Sequence, residues 1–358
     1  MDHAAGHHAH PSPGLAHPIV QAPLAGGGDT PALVAAVAEA GALGFIGAAY
    51  LTPEQLAEAA RTVRSRTRRP FGVNLFAPVP APRPVAADAA LDRVAPFFAE
   101  LGLPRPSPPT PPADRFAAQL DAALETGASV FSFTLGLLPS GALEAVKARG
   151  MFAIGTATTV DEAVALERAG VDAVVVQGAE AGGHRATFAT GFEEGLVGTI
   201  ALVPQVVDAV RVAVIASGGI MDGRGLAAAL VLGAAAVQFG TAFLTCEESG
   251  VPPAYRDAIL GAHEDGTRVT RAFSGRPARG IVNRFMREVD DGDVLPFPLQ
   301  NALTRPLRTA AAQANRAEFV SLWAGQGVRM ARRQKAGELV ARLAAEAEVA
   351  LRRAPVTR

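Results

Sequence analysis

The sequence predicts a (β/α)8 barrel of the TIM type, with a Pro-rich insertion after the third strand and a C-terminal helical extension. Three observations predict it. Short, continuously apolar runs alternate with Ala-rich helical segments, the pattern of parallel strands covered on both faces. There are eight such runs, which favours a closed barrel over an open doubly wound sheet. Glycines and polar residues gather just after the runs, where a barrel places its active site.

The runs are Ile19–Ala22, Leu43–Gly47, Phe71–Leu75, Ser129–Thr134, Met151–Thr156, Asp172–Gln177, Val212–Ala216 and Ala236–Gly240. Helical patterns between them include Pro31–Ala40, Pro53–Arg64, Leu143–Arg149, Val160–Ala169 and Gly223–Leu232. The apolar stretch from Gly225 to Leu244 has the length of a membrane span. Gly233 punctuates it and Gln238 interrupts it, so it reads as a barrel helix followed by a buried strand.

Around this barrel (residues 18–245) the sequence divides simply. Residues 1–17 form a His-rich tail. Residues 78–114 form the insertion, with one helix over Val85–Leu101. Residues 246–358 form an extension that packs on the barrel and covers the active site. Its first part, to about Pro298, reads as polar loop. Helical patterns follow over Gln300–Ala324 and Val328–Arg353.

Composition excludes several classes. Hydrophobic residues make up 49% and charged residues 19%, as in a globular chain. The formal net charge is −1, which leaves no nucleic-acid footprint. The basic run Arg61, Arg64, Arg66, Arg68 and Arg69 reads as the solvated end of a helix. Cys246 is the one cysteine, so no internal disulfide forms. With no signal-peptide pattern at the N-terminus, a cytoplasmic protein is expected. Five of the seven histidines (His3, His7, His8, His10 and His17) lie in the tail. A metal-binding tract is one reading; the Gly, Ala and Pro between them favour a frayed tail.

Chemistry gathers at the strand ends. Ser217-Gly218-Gly219 follows the seventh strand, and Gly240-Thr241 follows the eighth. Glycines there let backbone N–H groups approach an anion, and loops seven and eight are where barrels often bind phosphate. Asn74, Gln177 and Gln238 are amides at strand ends, able to pair with the polar edge of a heterocycle. A phosphate site beside such amides points to flavin mononucleotide. His184 follows the Gly182-Gly183 pair, and imidazole chemistry near neutral pH suits proton abstraction or anion binding. His263 lies in a polar stretch and reads as surface, Glu180 as a capping carboxylate, and Cys246 as a thiol without a paired base.

These strings resemble the nitronate monooxygenase family. They are Pro18-Ile19-Val20-Gln21-Ala22-Pro23, Gly72-Val73-Asn74-Leu75-Phe76, Gly178-Ala179-Glu180-Ala181-Gly182-Gly183-His184-Arg185 and Ala216-Ser217-Gly218-Gly219-Ile220. Ser274-Gly275-Arg276-Pro277-Ala278-Arg279-Gly280, Pro298-Leu299-Gln300-Asn301 and Leu322-Trp323-Ala324-Gly325-Gln326-Gly327 look like its bacterial branch. The resemblance implies noncovalent FMN, held by Ala22, Pro23, Leu24, Asn74, Gln177, Gly182, Gly183, Ser217, Gly218, Gly219, Gln238, Gly240 and Thr241, with His184 as the catalytic residue. It implies oxidation of a small anionic nitronate by O2 to a carbonyl compound and nitrite, in a monomer or homodimer. Two residues depart from the family pattern: Leu24 where Met is usual, and Phe297 where the branch has Tyr in a segment facing the substrate. The same fold also hosts flavin-dependent enoyl-acyl-carrier-protein and NAD(P)H:quinone reductases, and a non-redox barrel binding a phosphorylated ligand is the reading from another class.

Overall fold

The computed structural model describes residues 14–80, 85–110, 113–289, 292 and 294–353, so most of the histidine tail lies outside them. The barrel strands are β1 (Ile19–Gln21), β2 (Phe45–Gly47), β3 (Gly72–Phe76), β4 (Val130–Thr134), β5 (Phe152–Ala157), β6 (Ala173–Gln177), β8 (Ala213–Ser217) and β9 (Ala236–Phe239). They run parallel in the order β1-β9-β8-β6-β5-β4-β3-β2. Leu43 closes the ring: its N–H donates to Ile19 O at 3.0 Å, and Gln21 N–H donates to Leu43 O at 2.8 Å. The two-residue β7 (Gly183–His184) lies outside this ring. It joins a small antiparallel sheet with β11 (Ala278–Ile281) and β10 (Thr267–Thr270).

The outer helices are α1 (Pro31–Glu39), α2 (Pro53–Arg66), α4 (Phe116–Leu124), α5 (Ala142–Ala148), α6 (Val160–Ala169), α7 (Thr199–Ala209) and α8 (Gly223–Val231). α1 and α2 start on a Thr-Pro pair, which supplies a side-chain cap and a proline that needs no N–H partner. Thr52 and Gln55 complete a capping box on α2. Neither α4 nor α7 is evident from sequence periodicity; α7 carries Pro204 in its middle.

Side chains from successive strands fill the barrel, among them Val20, Phe45, Val130, Ile154, Val175 and Ile215. Phe45 fits because its neighbour is Gly72; a Cβ there would lie 2.2 Å from the ring. A second apolar layer joins strands to outer helices. The third core makes the cap. It unites α3 (Asp88–Glu100) of the insertion with α10 (Pro253–Leu260), α11 (Arg284–Val289) and α12 (Leu299–Gln313). Phe97 of α3 meets Phe285 at 5.1 Å and Phe319 at 5.7 Å between ring centroids.

Three expectations about the extension need correction. The stretch before Pro298 is not plain loop, since α10, β10, β11 and α11 occupy it. The helix expected over Gln300–Ala324 ends at Gln313; Asn315, with φ +55°, turns the chain, and Gly280 bridges Trp323 in the extended part beyond. The helix expected from Val328 begins only at Ala336, as α13 (Ala336–Arg353). The apolar positions Leu339, Val340 and Leu343 of α13 belong to the core between strands and helices. It packs between α8 and α1, in the place of the barrel's eighth helix. The insertion helix spans Asp88–Glu100.

Asp29 ties the first two strand ends together. Its Oδ2 accepts from Leu24 N at 2.9 Å and Gly47 N at 2.6 Å. Burial raises the carboxyl from 3.8 to about 6 against those hydrogen bonds. Between these values the folded chain holds a proton that the unfolded chain has lost, so stability falls as pH rises through that window. Asp29→Asn keeps an acceptor and removes the ionisation. Its melting temperature, relative to wild type, should therefore be higher at pH 7 than at pH 4. An offset independent of pH would contradict this account.

Candidate active site

A cavity of about 570 Å³ opens at the carboxyl ends of the strands, beneath the cap. Ala22, Pro23 and Leu24 line it after β1, Asn74 on β3, Gln177 at the end of β6, and Gly182, Gly183 and His184 beyond it. Ser217 follows at the end of β8 with Gly218 and Gly219 beyond it, then Gln238 on β9 with Gly240 and Thr241 beyond it. The structure thus brings His184 and the thirteen residues expected to hold the flavin to the walls of a single cavity, while Phe297, also expected to face the substrate, is outside the lining. The lining contains two guanidinium groups, Arg305 and Arg308, and no carboxylate among the described residues.

The glycine turns are built for close approach to a ligand. Gly218 and Gly219 have φ of +122° and +71°, a region that side chains disfavour. The N–H groups of Gly218, Gly219 and Gly240 donate to no protein acceptor among the described residues. Thr241 Oγ1 accepts from Gly325 N at 2.9 Å, which leaves its hydroxyl proton free to donate. Such a set of unpaired donors around an acid-free cavity suits a phosphate.

The strand carrying His184 is held from several sides. Gln177 spends its amide there: Nε2 donates to His184 O at 3.0 Å, and Oε1 accepts from Ala186 N at 3.0 Å. Arg185, with 1% exposure, donates to the carbonyls of Gln177, Gly178 and Gly195. Arg276 donates to Arg185 O and Thr187 O, and Arg279 to Ala179 O. The carboxylates take the N–H side. Glu162 accepts from Phe188 N and Ala189 N, while Glu180 caps α7 through Thr199 N. Gly182 has no room for a side chain, since a Cβ would lie 2.6 Å from the backbone at Ala324 and Gly325.

The partners of Ser274 fix the His184 tautomer. Ser274 Oγ donates to Arg276 O at 3.1 Å and lies 2.9 Å from His184 Nε2. With its only proton on that carbonyl, the serine accepts from Nε2–H, and Nδ1 keeps a lone pair. Burial pushes His184 down from 6.5 to about 3, with Arg276 and Arg308 adding to the effect, so the ring is neutral at physiological pH. Phe76, Phe297 and Trp323 surround it at centroid distances of 6.3, 5.9 and 5.7 Å.

Sequence periodicity did not single out Tyr50, Ser132, Trp323, Arg305 or Arg308 as cavity walls. Phe297 packs against His184 rather than forming the cavity lining among the described residues; the phenols that line it are Tyr50 and Tyr255, and Tyr255 Oη donates to Trp323 O at 2.6 Å. His263 is exposed. Cys246 is buried, its thiol pushed up to about 12, and so is inert. Among the described residues there is no metal-binding cluster, and no helix is long and apolar enough to cross a membrane.

The family model for nitronate monooxygenase matches residues 13–346. The chain belongs to the nitronate monooxygenase family. A probable nitronate monooxygenase of Staphylococcus aureus strain Newman is 42% identical over 335 residues, covering 92% of this chain and 94% of that protein. A nitroalkane oxidase from Streptomyces ansochromogenes superimposes with a TM-score of 0.86 at 42% identity, covering 94% of this chain and 97% of the other. FabK from Thermotoga maritima gives a TM-score of 0.74 at 30% identity, with 94% of each chain covered. The family is one of flavin-dependent oxidoreductases, which act on nitroalkanes and their anions.

The cavity fits a flavin. A Cβ on Gly183, which lines it, meets no protein atom within 4 Å, so that space is left to a ligand. The free N–H groups at Gly218, Gly219 and Gly240 suit the phosphate end. Gly219→Asp sets a carboxylate beside those donors and should weaken flavin binding at least ~10-fold, about 1.4 kcal/mol. Gly219→Ala carries the backbone strain without the charge and should lose much less. Flavin retained per chain, read from visible absorbance after gel filtration, checks this. Equal retention in both variants would move the phosphate elsewhere.

Proposed function

We propose that the protein binds FMN and oxidises small alkyl nitronates, and the nitroalkanes that give rise to them, with O2 to a carbonyl compound and nitrite. The observation that carries this reading is His184, a neutral imidazole held by Ser274 in a cavity lined by arginine and, among the described residues, by no carboxylate. When bound, the flavin supplies the redox chemistry; the protein supplies position and electrostatics. Ser217–Gly219 and Gly240–Thr241 would hold its phosphate, which an FMN ends on. Asn74, fixed by a 2.8 Å hydrogen bond from Nδ2 to Ser132 Oγ, keeps its Oδ1 for the ring edge.

His184 then acts on the substrate. Its Nδ1 lone pair is the acceptor for the α-proton of a neutral nitroalkane. A base pushed so low is weak alone. The negative charge that develops on the nitro group offsets the positive charge the ring acquires. A nitronate has already lost that proton, so for it His184 only positions.

His184→Asn should retain flavin and lower turnover of nitroethane by about 10²–10⁴-fold, with a much smaller loss on ethyl nitronate. Equal losses on both forms would remove the proton-transfer role. For the wild type, kcat/KM on ethyl nitronate should show no acid limb near 6.5, because His184 ionises only far below it. Anaerobic mixing with nitroethane should bleach the flavin; bleaching by NADH or NADPH alone, and not by nitroethane, would replace this reading with a reductase.

A further inference from the structure

We propose that Arg308 and Tyr50 grip the anionic head of the substrate, Arg308 as counter-charge and Tyr50 Oη as hydrogen-bond donor. The proposal rests on the nitronate reading and adds two binding residues to it.

Arg308 sits on α12 and lines the cavity. Its Nε donates to Thr304 Oγ1 at 3.2 Å, and its Nη2 to Asn301 O and Oδ1 at 3.0 and 2.7 Å. All these acceptors are neutral and lie on the same helix. They fix the guanidinium without neutralising it, and Nη1 has no acceptor among the described residues. Arg308 is part-buried, and the desolvation of its guanidinium lowers it to about 10. A cation held this way is costly until an anion joins it. Among the described residues the cavity wall offers no carboxylate to do so.

Tyr50 lies between β2 and α2 and lines the same cavity. Gln119, from α4, pins that turn through hydrogen bonds to Ala48 O at 3.1 Å and Leu51 O at 2.7 Å. The Tyr50 ring stands edge-on to Phe76 at 5.7 Å, and Phe76 stands edge-on to His184 at 6.3 Å. The phenol and the imidazole thus both stand against Phe76. Its hydroxyl has no protein hydrogen-bond partner among the described residues. The Arg308 charge favours an ionised Tyr50 phenol and disfavours a protonated His184, beside the larger effect of burial on each, and all three side chains line the one cavity. A planar anion above Phe76 would meet the phenol, the guanidinium and the imidazole together. Arg305, exposed on the same helix, attracts anions from solvent without gripping them.

Nitrite serves as an unreactive probe of the head site, titrated anaerobically into the flavin-loaded protein and followed by the flavin's visible spectrum. Arg308→Gln should weaken nitrite by ~10- to 100-fold, and Tyr50→Phe by ~3- to 10-fold. KM for ethyl nitronate should rise in parallel while kcat changes little. Arg308→Lys keeps charge without the fork and should fall between wild type and Arg308→Gln. It also answers the question if Arg308→Gln fails to fold. Arg305→Gln should lower only the salt dependence of kcat/KM. Unchanged nitrite Kd in Arg308→Gln, or in Arg308→Lys and Tyr50→Phe together, overturns the grip, as does a wild type that binds no nitrite. A wild type that binds nitrite through these residues yet oxidises no nitronate would instead overturn the functional reading and leave the grip standing.

Discussion

The structure depends on how the chain satisfies a glycine-rich segment that has left the barrel. Beyond Gly178 the backbone leaves the barrel sheet and regains a strand partner only at the two-residue β7, yet it must present His184 at a fixed place. Its carbonyls would be buried without partners, each costing about 1–3 kcal/mol. Guanidinium groups solve this. Arg185 reaches back to Gln177, Gly178 and Gly195, Arg276 to Arg185 and Thr187, and Arg279 to Ala179. A planar fork with several donors can serve separate carbonyls at once, which a lysine ammonium on a flexible stem does less well. Glu162 and Glu180 treat the N–H groups at the far end of the segment in the same way.

That clasp also sets the electrostatics. Arginines spent on neutral carbonyls keep their charge, and Arg276 is one reason His184 stays neutral. The clasping carboxylates, Glu162 and Glu180, are turned away into the loop and α7 and do not line the cavity. Holding the strand that carries His184 and making the cavity hospitable to anions are therefore one arrangement. The string Ser274-Gly275-Arg276-Pro277-Ala278-Arg279 gains a physical meaning here. Ser274 sets the tautomer, Arg276 and Arg279 close the clasp, and Ala278 pairs with His184 across β11 and β7.

Much of this was legible in the sequence, for separable reasons. The parallel strands are continuous apolar runs because both faces are buried. The glycine turns stand out because positive φ and close approach admit little else. What periodicity could not supply is partner choice over long distances. Nothing local in Gln177 says that its amide turns to His184 and Ala186. Nothing local in Arg308 says that its neighbours are neutral. The misplaced helix ends have a local cause. The one strong breaker between Gln300 and Asn315, Pro306, sits inside α12 without ending it, and the left-handed Asn315 that does turn the chain is a signal weaker than glycine. α13 is an amphipathic helix by any sequence measure, but only topology shows that it completes the barrel.

The cavity divides its labour between two cores. The glycine turns stand on barrel strands whose interior packing is independent of the cap. The polar face of α12, with Asn301, Arg305 and Arg308, stands on the cap. A change on α12 can alter which anion is favoured without moving the strand ends that shape the flavin side. Phe297 illustrates the converse. It precedes α12 and packs on His184, outside the cavity lining among the described residues. The departure at this position thus bears on how firmly His184 is held, while the donor that an anion meets directly comes from Tyr50, on the barrel side of the same space.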